Sequence, residues 1–329
     1  MTRADKSDIW QKKVGLMSNF NALTTTTEVL SGISLKGRTV LITGASTGLG
    51  LASAIALAQV GANLILTARS EAKFLAAKKA VLTGHSDAVV DFCELHLDDI
   101  VSCKQAAEDL KCRYNHIDHI IANAGVMACA EQRTAQGFEW QFGVNHLGHF
   151  VFINNIIELF TADHCRVAIL SSGGHRYGDI DLADPNFESQ PYNKWLSYGR
   201  AKTANALYAL ELNKRMPIGH ANAVHPGAII TELSRHLQPE DFAEMGSSMK
   251  DSGIVMKSLE AGAATQVWAI TAPELEGRGG LYLEDCQIGI ESPGPTTGYA
   301  SYIKNHDNAK SLWHLSEQLV GQNFIFSRD

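Results

Sequence analysis

The sequence predicts an α/β fold: one doubly wound, seven-stranded parallel sheet with helices on both faces, in a single domain. Three observations predict it. Short apolar runs alternate with helix-forming stretches along most of the chain, a glycine-rich turn joins the first run to the first helix, and no Pro/Ser-rich linker or internal repeat interrupts the alternation.

Thr39-Val40-Leu41-Ile42 is the first strand candidate, Thr43–Gly50 the glycine turn, Leu51–Val60 an alanine-rich helix and Asn63–Thr67 the second strand. Strand, glycine turn, helix and strand within about thirty residues make the βαβ unit of dinucleotide-binding, Rossmann-type folds. Further strands are expected at Ala88–Phe92, Ile117–Ala122, Arg166–Leu170, Ala221–Val224 and Gly280–Leu283. Helices are expected near Glu71–Leu82, Ile100–Lys111, Gly137–Phe160, Tyr198–Arg215 and Leu259–Ala272, with a C-terminal cap around Asn308–Val320. Residues 1–36, with their Thr24–Thr27 run, read as an extension or arm, and 37–329 as the dinucleotide-binding catalytic domain. Long irregular stretches at 175–197 and 231–257 read as substrate loops.

Of the 329 residues 45% are hydrophobic and 19% charged, and the formal net charge is −7 without charged blocks. That leaves no footprint for nucleic acid or an anionic membrane. Six scattered cysteines, with no CxxC and no His/Cys cluster, predict reduced thiols in a cytoplasmic protein and no metal site. Met1–Phe20 has charges and no apolar core, which predicts no signal peptide, and no apolar stretch is long enough for a membrane span.

The glycines of Gly44-Ala45-Ser46-Thr47-Gly48-Leu49-Gly50 let the chain turn off the strand and let backbone approach a pyrophosphate, with the following helix N-terminus offering N–H groups to it. After the second strand the chain reads Thr67-Ala68-Arg69-Ser70, with no carboxylate for a ribose 2′-hydroxyl. An arginine beside a hydroxyl suits a 2′-phosphate, so NADP(H) is expected, with NAD(H) use not excluded by one arginine.

Tyr198 and Lys202 are four apart on a predicted helix and so share a face. An ammonium beside a phenol favours the phenolate and brings it toward the range a general acid/base needs.

With Gly44/Gly48/Gly50, Asn123-Ala124-Gly125, Ser172, Tyr198 and Lys202 in this order, the chain resembles the short-chain dehydrogenase/reductase family from about Leu35 onward. Gln141–Phe150 (QFGVNHLGHF), Ser171–His175 (SSGGH) and His225-Pro226-Gly227 resemble its retinol dehydrogenase/WW-domain oxidoreductase branch, in the catalytic domain only. The resemblance implies Tyr198 as proton donor or acceptor at the substrate oxygen and Lys202 on the nicotinamide ribose. It implies Ser172, rather than Ser171, orienting the carbonyl, and Asn145 holding a water of a proton relay. Asn123, Ala124 and Gly125 would support the adenosine side, and Pro226, Gly227 and Thr231 would line the nicotinamide. Where many relatives have an adenine-contacting Asp this chain has His96, with Asp98 a possible substitute; Ala122 stands where the family often has Asn.

His146 and His149, three apart, read as packing residues rather than metal ligands. His175, Phe242 and Met245 are candidate substrate contacts, with a loop role for His175 equally open. The helix Gly148–Phe160 is apolar over much of its circumference, which fits a homodimer or homotetramer interface or packing within the domain. The reading is an oxidoreductase moving hydride between NADP(H) and a carbonyl or alcohol of an apolar substrate, retinoid-, steroid- or aryl-ketone-like. The alternatives are a non-catalytic dinucleotide-binding scaffold and a C=C reductase of the same fold.

Overall fold

The computed structural model describes residues 18–241, 255–294 and 297–326. The parallel sheet begins with β1 (Thr39–Ile42), β2 (Asn63–Ala68), β3 (Val90–Glu94) and β4 (His119–Ala122), and continues with β5 (Arg166–Leu170), β6 (His220–His225) and β7 (Tyr282–Glu284). All four residues of β1 and of β4 are buried, as expected of inner strands covered by helices on both faces. The order is β3-β2-β1-β4-β5-β6-β7 with one further strand beyond β7, so the winding reverses between β1 and β4 and leaves a crevice above their C-terminal ends.

The eighth strand, β8 (Gln287–Ile288), corrects the expected seven. It pairs antiparallel with β7 across the turn Asp285-Cys286, where φ is +52° and +55°. A two-residue hairpin turn with both φ positive matches strand twist, but it normally announces itself by Asn-Gly or Asp-Gly. Asp-Cys does not.

On one face pack α2 (Gly48–Gln59), α3 (Glu71–Gly84) and α8 (Leu259–Thr271). Leu57, Phe74 and Trp268 are buried there against Val40, Ile42 and Leu64. The short α1 (Thr26–Val29) joins this layer, which corrects the reading of 1–36 as an arm for its described part. Thr25 and Glu28 form a reciprocal cap, and Val29, Leu30 and Leu35 are buried in the core. The threonines mask a packing segment because two or three apolar residues suffice to anchor it.

The other face carries α4 (Ile100–Arg113), α5 (Trp140–Phe142), α6 (Gly148–Ile156), α7 (Lys194–Arg215) and α9 (His306–Val320). The single helix expected over Gly137–Phe160 is composite. It starts at Trp140, capped by the Glu139 carboxylate, runs as a π-helix through Gly143–Leu147, and ends in a 3₁₀ turn at Ile157–Leu159. Such wide turns concentrate at functional sites, and this one holds Asn145.

The apolar circumference of α6 is covered within the chain. Phe150 is fully buried, with the Trp313 ring of α9 at 5.0 Å and Phe324 at 5.3 Å. The C-terminal segment thus occupies the face that the sequence offered to a partner subunit, and intradomain packing is the reading that holds. Among the described residues no helix is long and apolar enough to cross a membrane.

Candidate active site

One cavity of about 1530 Å³ opens above the β1/β4 crevice and gathers most of the predicted site. Ser46, Thr47, Gly48 and Leu49 line it at the start of α2. Thr47, the N-cap, makes no side-chain capping bond, so the first N–H groups of α2 face the cavity without a capping oxygen. Gly44 has φ +64°, and a Cβ there would lie 2.8 Å from Ala124. A Cβ at Gly50 would lie 2.5 Å from the Gly44 carbonyl. Gly50 does not line the cavity; its role is this close approach.

Asn123 supports the loop from below, its Nδ2 donating to Thr43 O (3.0 Å) and Gly44 O (3.2 Å). The Ala124 N–H donates to Thr43 Oγ1 (3.0 Å). Arg69 lines the cavity, and so does Lys73 one helical turn later. Ser70 does not; it is the N-cap of α3. Asp98 lines the cavity, whereas His96 turns to Glu94 at 3.1 Å.

Tyr198 and Lys202 project from one face of α7, which starts four residues earlier than expected because Asn193 caps it through the Trp195 and Leu196 N–H groups. Both side chains are buried, yet both line the cavity. The Lys202 ammonium lies 5.8 Å from the Tyr198 ring centre and donates to Leu170 O at 3.0 Å. Burial pushes the Tyr198 phenol up to about 12, against which the Ser172 hydroxyl acts, and burial pulls Lys202 down to about 8. The ammonium is therefore still the main form at neutral pH.

The adjacent serines divide their work. Ser171 donates to the Lys202 carbonyl at 2.8 Å, pinning α7 to the end of β5. Ser172 lines the cavity and accepts from the Gly174 N–H at 3.0 Å. Gly174 lets the two reactive groups close in, since a Cβ there would lie 2.6 Å from Tyr198 Cε1 and 3.3 Å from Ser172 Oγ.

Asn145 is fully buried. Its Oδ1 accepts from Val126 N–H (2.8 Å) and its Nδ2 donates to Val126 O (3.0 Å). A Cβ at Gly125 would fall 3.0 Å from Asn145 Oδ1 and 3.6 Å from Lys202 Nζ, so Gly125 is the thin wall between those groups. His149 Nδ1 donates to Asn145 O (3.1 Å), which leaves Nε2 to accept from the Thr43 hydroxyl (2.9 Å). His146 meets Ser316 at 2.8 Å. Both histidines are thus packing residues, and among the described residues no cluster could hold a metal.

His175 is a correction. It is fully buried and absent from the cavity wall, with Nδ1 2.6 Å from Ser172 O and Nε2 accepting from Ala300 N–H at 3.1 Å. Phe242 and Met245 lie outside the described residues. Pro226, Gly227 and Thr231 line the cavity. The loop 175–197 contributes chiefly its two ends, Arg176, Tyr177 and Trp195; its middle folds on the Asp184 carboxylate, which accepts from the Glu188 and Ser189 N–H groups. The apolar wall that sequence reasoning missed is Met127, Trp140, Val144, Trp195 and Leu233. Only Lys73 carried a sequence signal, its i+4 spacing from Arg69.

An uncapped helix N-terminus at a glycine turn and a buried Tyr–Lys–Ser group thus meet on one crevice. A short chain dehydrogenase family model matches residues 38–241, and the chain belongs to that family. Within it the retinol dehydrogenase/WW-domain oxidoreductase branch is indicated by curated relatives. Retinol dehydrogenase 14 of Homo sapiens is 33% identical over 305 residues, covering 87% of each chain. The WW domain-containing oxidoreductase of Pongo abelii is 32% identical, covering 92% of this chain and 72% of that protein. The short-chain dehydrogenase/reductase prx1 of Penicillium rubens is 34% identical over 297 residues (87% and 86%). A crystal structure of an uncharacterised Mycobacterium paratuberculosis protein superposes with a TM-score of 0.68 at 31% identity, covering 88% of this chain and 96% of that one.

Proposed function

We propose that the protein moves hydride between NADP(H) and a carbonyl or alcohol carbon of an apolar substrate, with Tyr198 as general acid/base. The observation that carries this is the convergence of Tyr198, Lys202 and Ser172 on the cavity that also receives the uncapped start of α2.

The cavity fits the dinucleotide. The free N–H groups at Gly48 and Leu49 suit a pyrophosphate, and Arg69 with Lys73 suits a 2′-phosphate. Lys202 would hold the nicotinamide ribose, with Pro226, Gly227 and Thr231 along the nicotinamide. Bound there, the cofactor supplies or accepts the hydride.

The chain's own groups handle the proton. In the reducing direction Ser172 donates a hydrogen bond to the substrate oxygen, and Tyr198 delivers its hydroxyl proton to that oxygen. Burial that holds the phenol near 12 leaves little of the phenolate that oxidation needs at neutral pH, and the Lys202 charge would favour that phenolate. Asn145, across Gly125 from Lys202, stands where a water could return the proton. Met127, Trp140, Val144, Trp195 and Leu233 exclude bulk water from the substrate side and favour an apolar aldehyde, ketone or alcohol, retinoid-, steroid- or aryl-ketone-like.

The covered α6 face favours a single copy at this surface over the dimer or tetramer expected there. The test of the function is consumption of NADPH and NADH against a panel of apolar aldehydes and ketones, with Tyr198→Phe alongside. The variant is expected to keep cofactor binding and lose turnover at least about a hundredfold. Wild-type turnover in the variant removes Tyr198 from the mechanism, and binding without any turnover across the panel favours a scaffold.

A further inference from the structure

Ser18 is buried at the start of the described chain. Its Oγ donates to Cys286 O at 2.6 Å and its N–H to Gln287 Oε1 at 2.8 Å. Gln287 Nε2 lies 2.7 Å from Ser18 Oγ and donates to Ser18 O (3.1 Å) and Phe20 O (2.6 Å). One side-chain amide on β8 thus grips two residues lying 269 and 267 positions before it.

The gripped segment leads to the cavity. Ala22 lines it together with Gly48, Leu49 and Arg69. A small turn fixes Ala22 in place: Asn21 N–H donates to Thr24 Oγ1 (2.9 Å), Leu23 N–H to Asn21 Oδ1 (2.9 Å) and Thr24 N–H to Asn21 O (3.1 Å). Directly after it α1 packs on α8 and α2, so both ends of the segment are anchored.

The turn that accepts Ser18 also reaches a second stretch of the cavity wall. Asp285, next to Cys286, takes the Lys257 ammonium at 2.6 Å, and the Lys257 N–H donates to Ala228 O at 3.0 Å. The Lys257 methylenes press on Gly227, where a Cβ would lie 2.5 Å from Cε. One β-turn therefore ties the N-terminal segment to the wall beside Pro226 and Gly227.

We propose that residues 18–24 belong to the dinucleotide site, as a strap clamped by Gln287 that holds Ala22 over the cavity and slows cofactor release. The inference rests on the dinucleotide reading of the cavity. Residues 18–24 carry no charged side chain, so the strap acts on NADPH and NADH alike, unlike Arg69 and Lys73.

The test is stopped-flow displacement of NADPH and of NADH from the full chain, comparing wild type with Gln287→Glu, Gln287→Ala and Ser18→Ala. Melting of each protein without cofactor is measured in parallel. The off-rate is expected to rise about fivefold or more in the Gln287 variants for both dinucleotides, without following the order of the variants' losses in cofactor-free melting. An unchanged off-rate overturns the strap, as does an off-rate rise that tracks the loss of cofactor-free melting from variant to variant, which makes the contact structural. Wild-type protein that binds neither dinucleotide removes the dinucleotide reading and the strap with it. Wild-type binding with unaltered variants removes the strap alone.

Discussion

The proposed choice of NADP(H) over NAD(H) rests on two exposed cations and can be worked from their surroundings. Arg69 and Lys73 line one end of the cavity, and among the described residues neither has a hydrogen-bond or ion-pair partner. Removing either one therefore breaks nothing internal, and Arg69→Ala and Lys73→Ala are expected to melt like wild type. A charge-assisted hydrogen bond contributes ~1.5–3 kcal/mol, and exposure to screening solvent favours the lower end. At about 1.5 kcal/mol each the loss is just over tenfold per residue, and somewhat over a hundredfold for the pair if they act independently. The assay is kcat/KM for NADPH and for NADH with one carbonyl substrate. NADPH efficiency is expected to fall by those factors while NADH stays within about twofold, and the NADPH loss is expected to shrink as salt rises. Equal losses with both dinucleotides, or no loss with either, would refute the 2′-phosphate assignment.

Gly174→Ala places a methyl group 2.6 Å from Tyr198 Cε1. Relief of such overpacking costs about 1–3 kcal/mol, so turnover is expected to fall at least tenfold with dinucleotide affinity kept, as read by separate binding and rate measurements. Lys202 is held down at about 8 by burial, so the folded protein binds fewer protons than the unfolded chain between about 8 and about 10.5. The burden is fully present below pH 8 and vanishes as the unfolded lysine also deprotonates. Lys202→Met is expected to raise cofactor-free melting at pH 7, the gain fading toward pH 10.5; a constant gain would exclude this cause. Asp118 is held below the usual carboxylate range: burial pushes it up, but hydrogen bonds from His164, the Thr39 N–H and Arg38 outweigh that. Its stabilisation is present above the unfolded value near ~3.9 and is lost as pH falls through the folded value. Asp118→Asn is expected to melt several degrees lower at pH 7, the gap narrowing below about pH 4, and a gap independent of pH would refute it.

Much of the architecture was legible because its signals are local. Apolar runs such as Thr39–Ile42 and Arg166–Leu170 read as buried strands, and i+4 spacing placed Tyr198 beside Lys202 on one helix face. What escaped lacks a local signature. A π-helical turn at Gly143–Leu147 differs from α-helix by under one residue per turn, which five mostly apolar residues cannot register. The strand Gln287–Ile288 is two residues long and follows an atypical turn. A histidine just after Ser172 looks like a substrate contact, but the ring position depends on Ala300, far along the chain. Ser70 shows the limit of analogy, since the residue next to Arg69 sits at the N-cap position of α3 and lies off the cavity wall.

The Trp313–Phe150 contact has a consequence beyond its packing. Phe150 lies on the helix that continues directly from the turn holding Asn145, and the fit of that helix is set from outside by Trp313 of α9 and by Phe324. The proposed chemistry in the crevice is thereby made answerable to α9: erosion of the aromatic cluster around Trp313 would reach the proposed proton path without any change to the groups that line it.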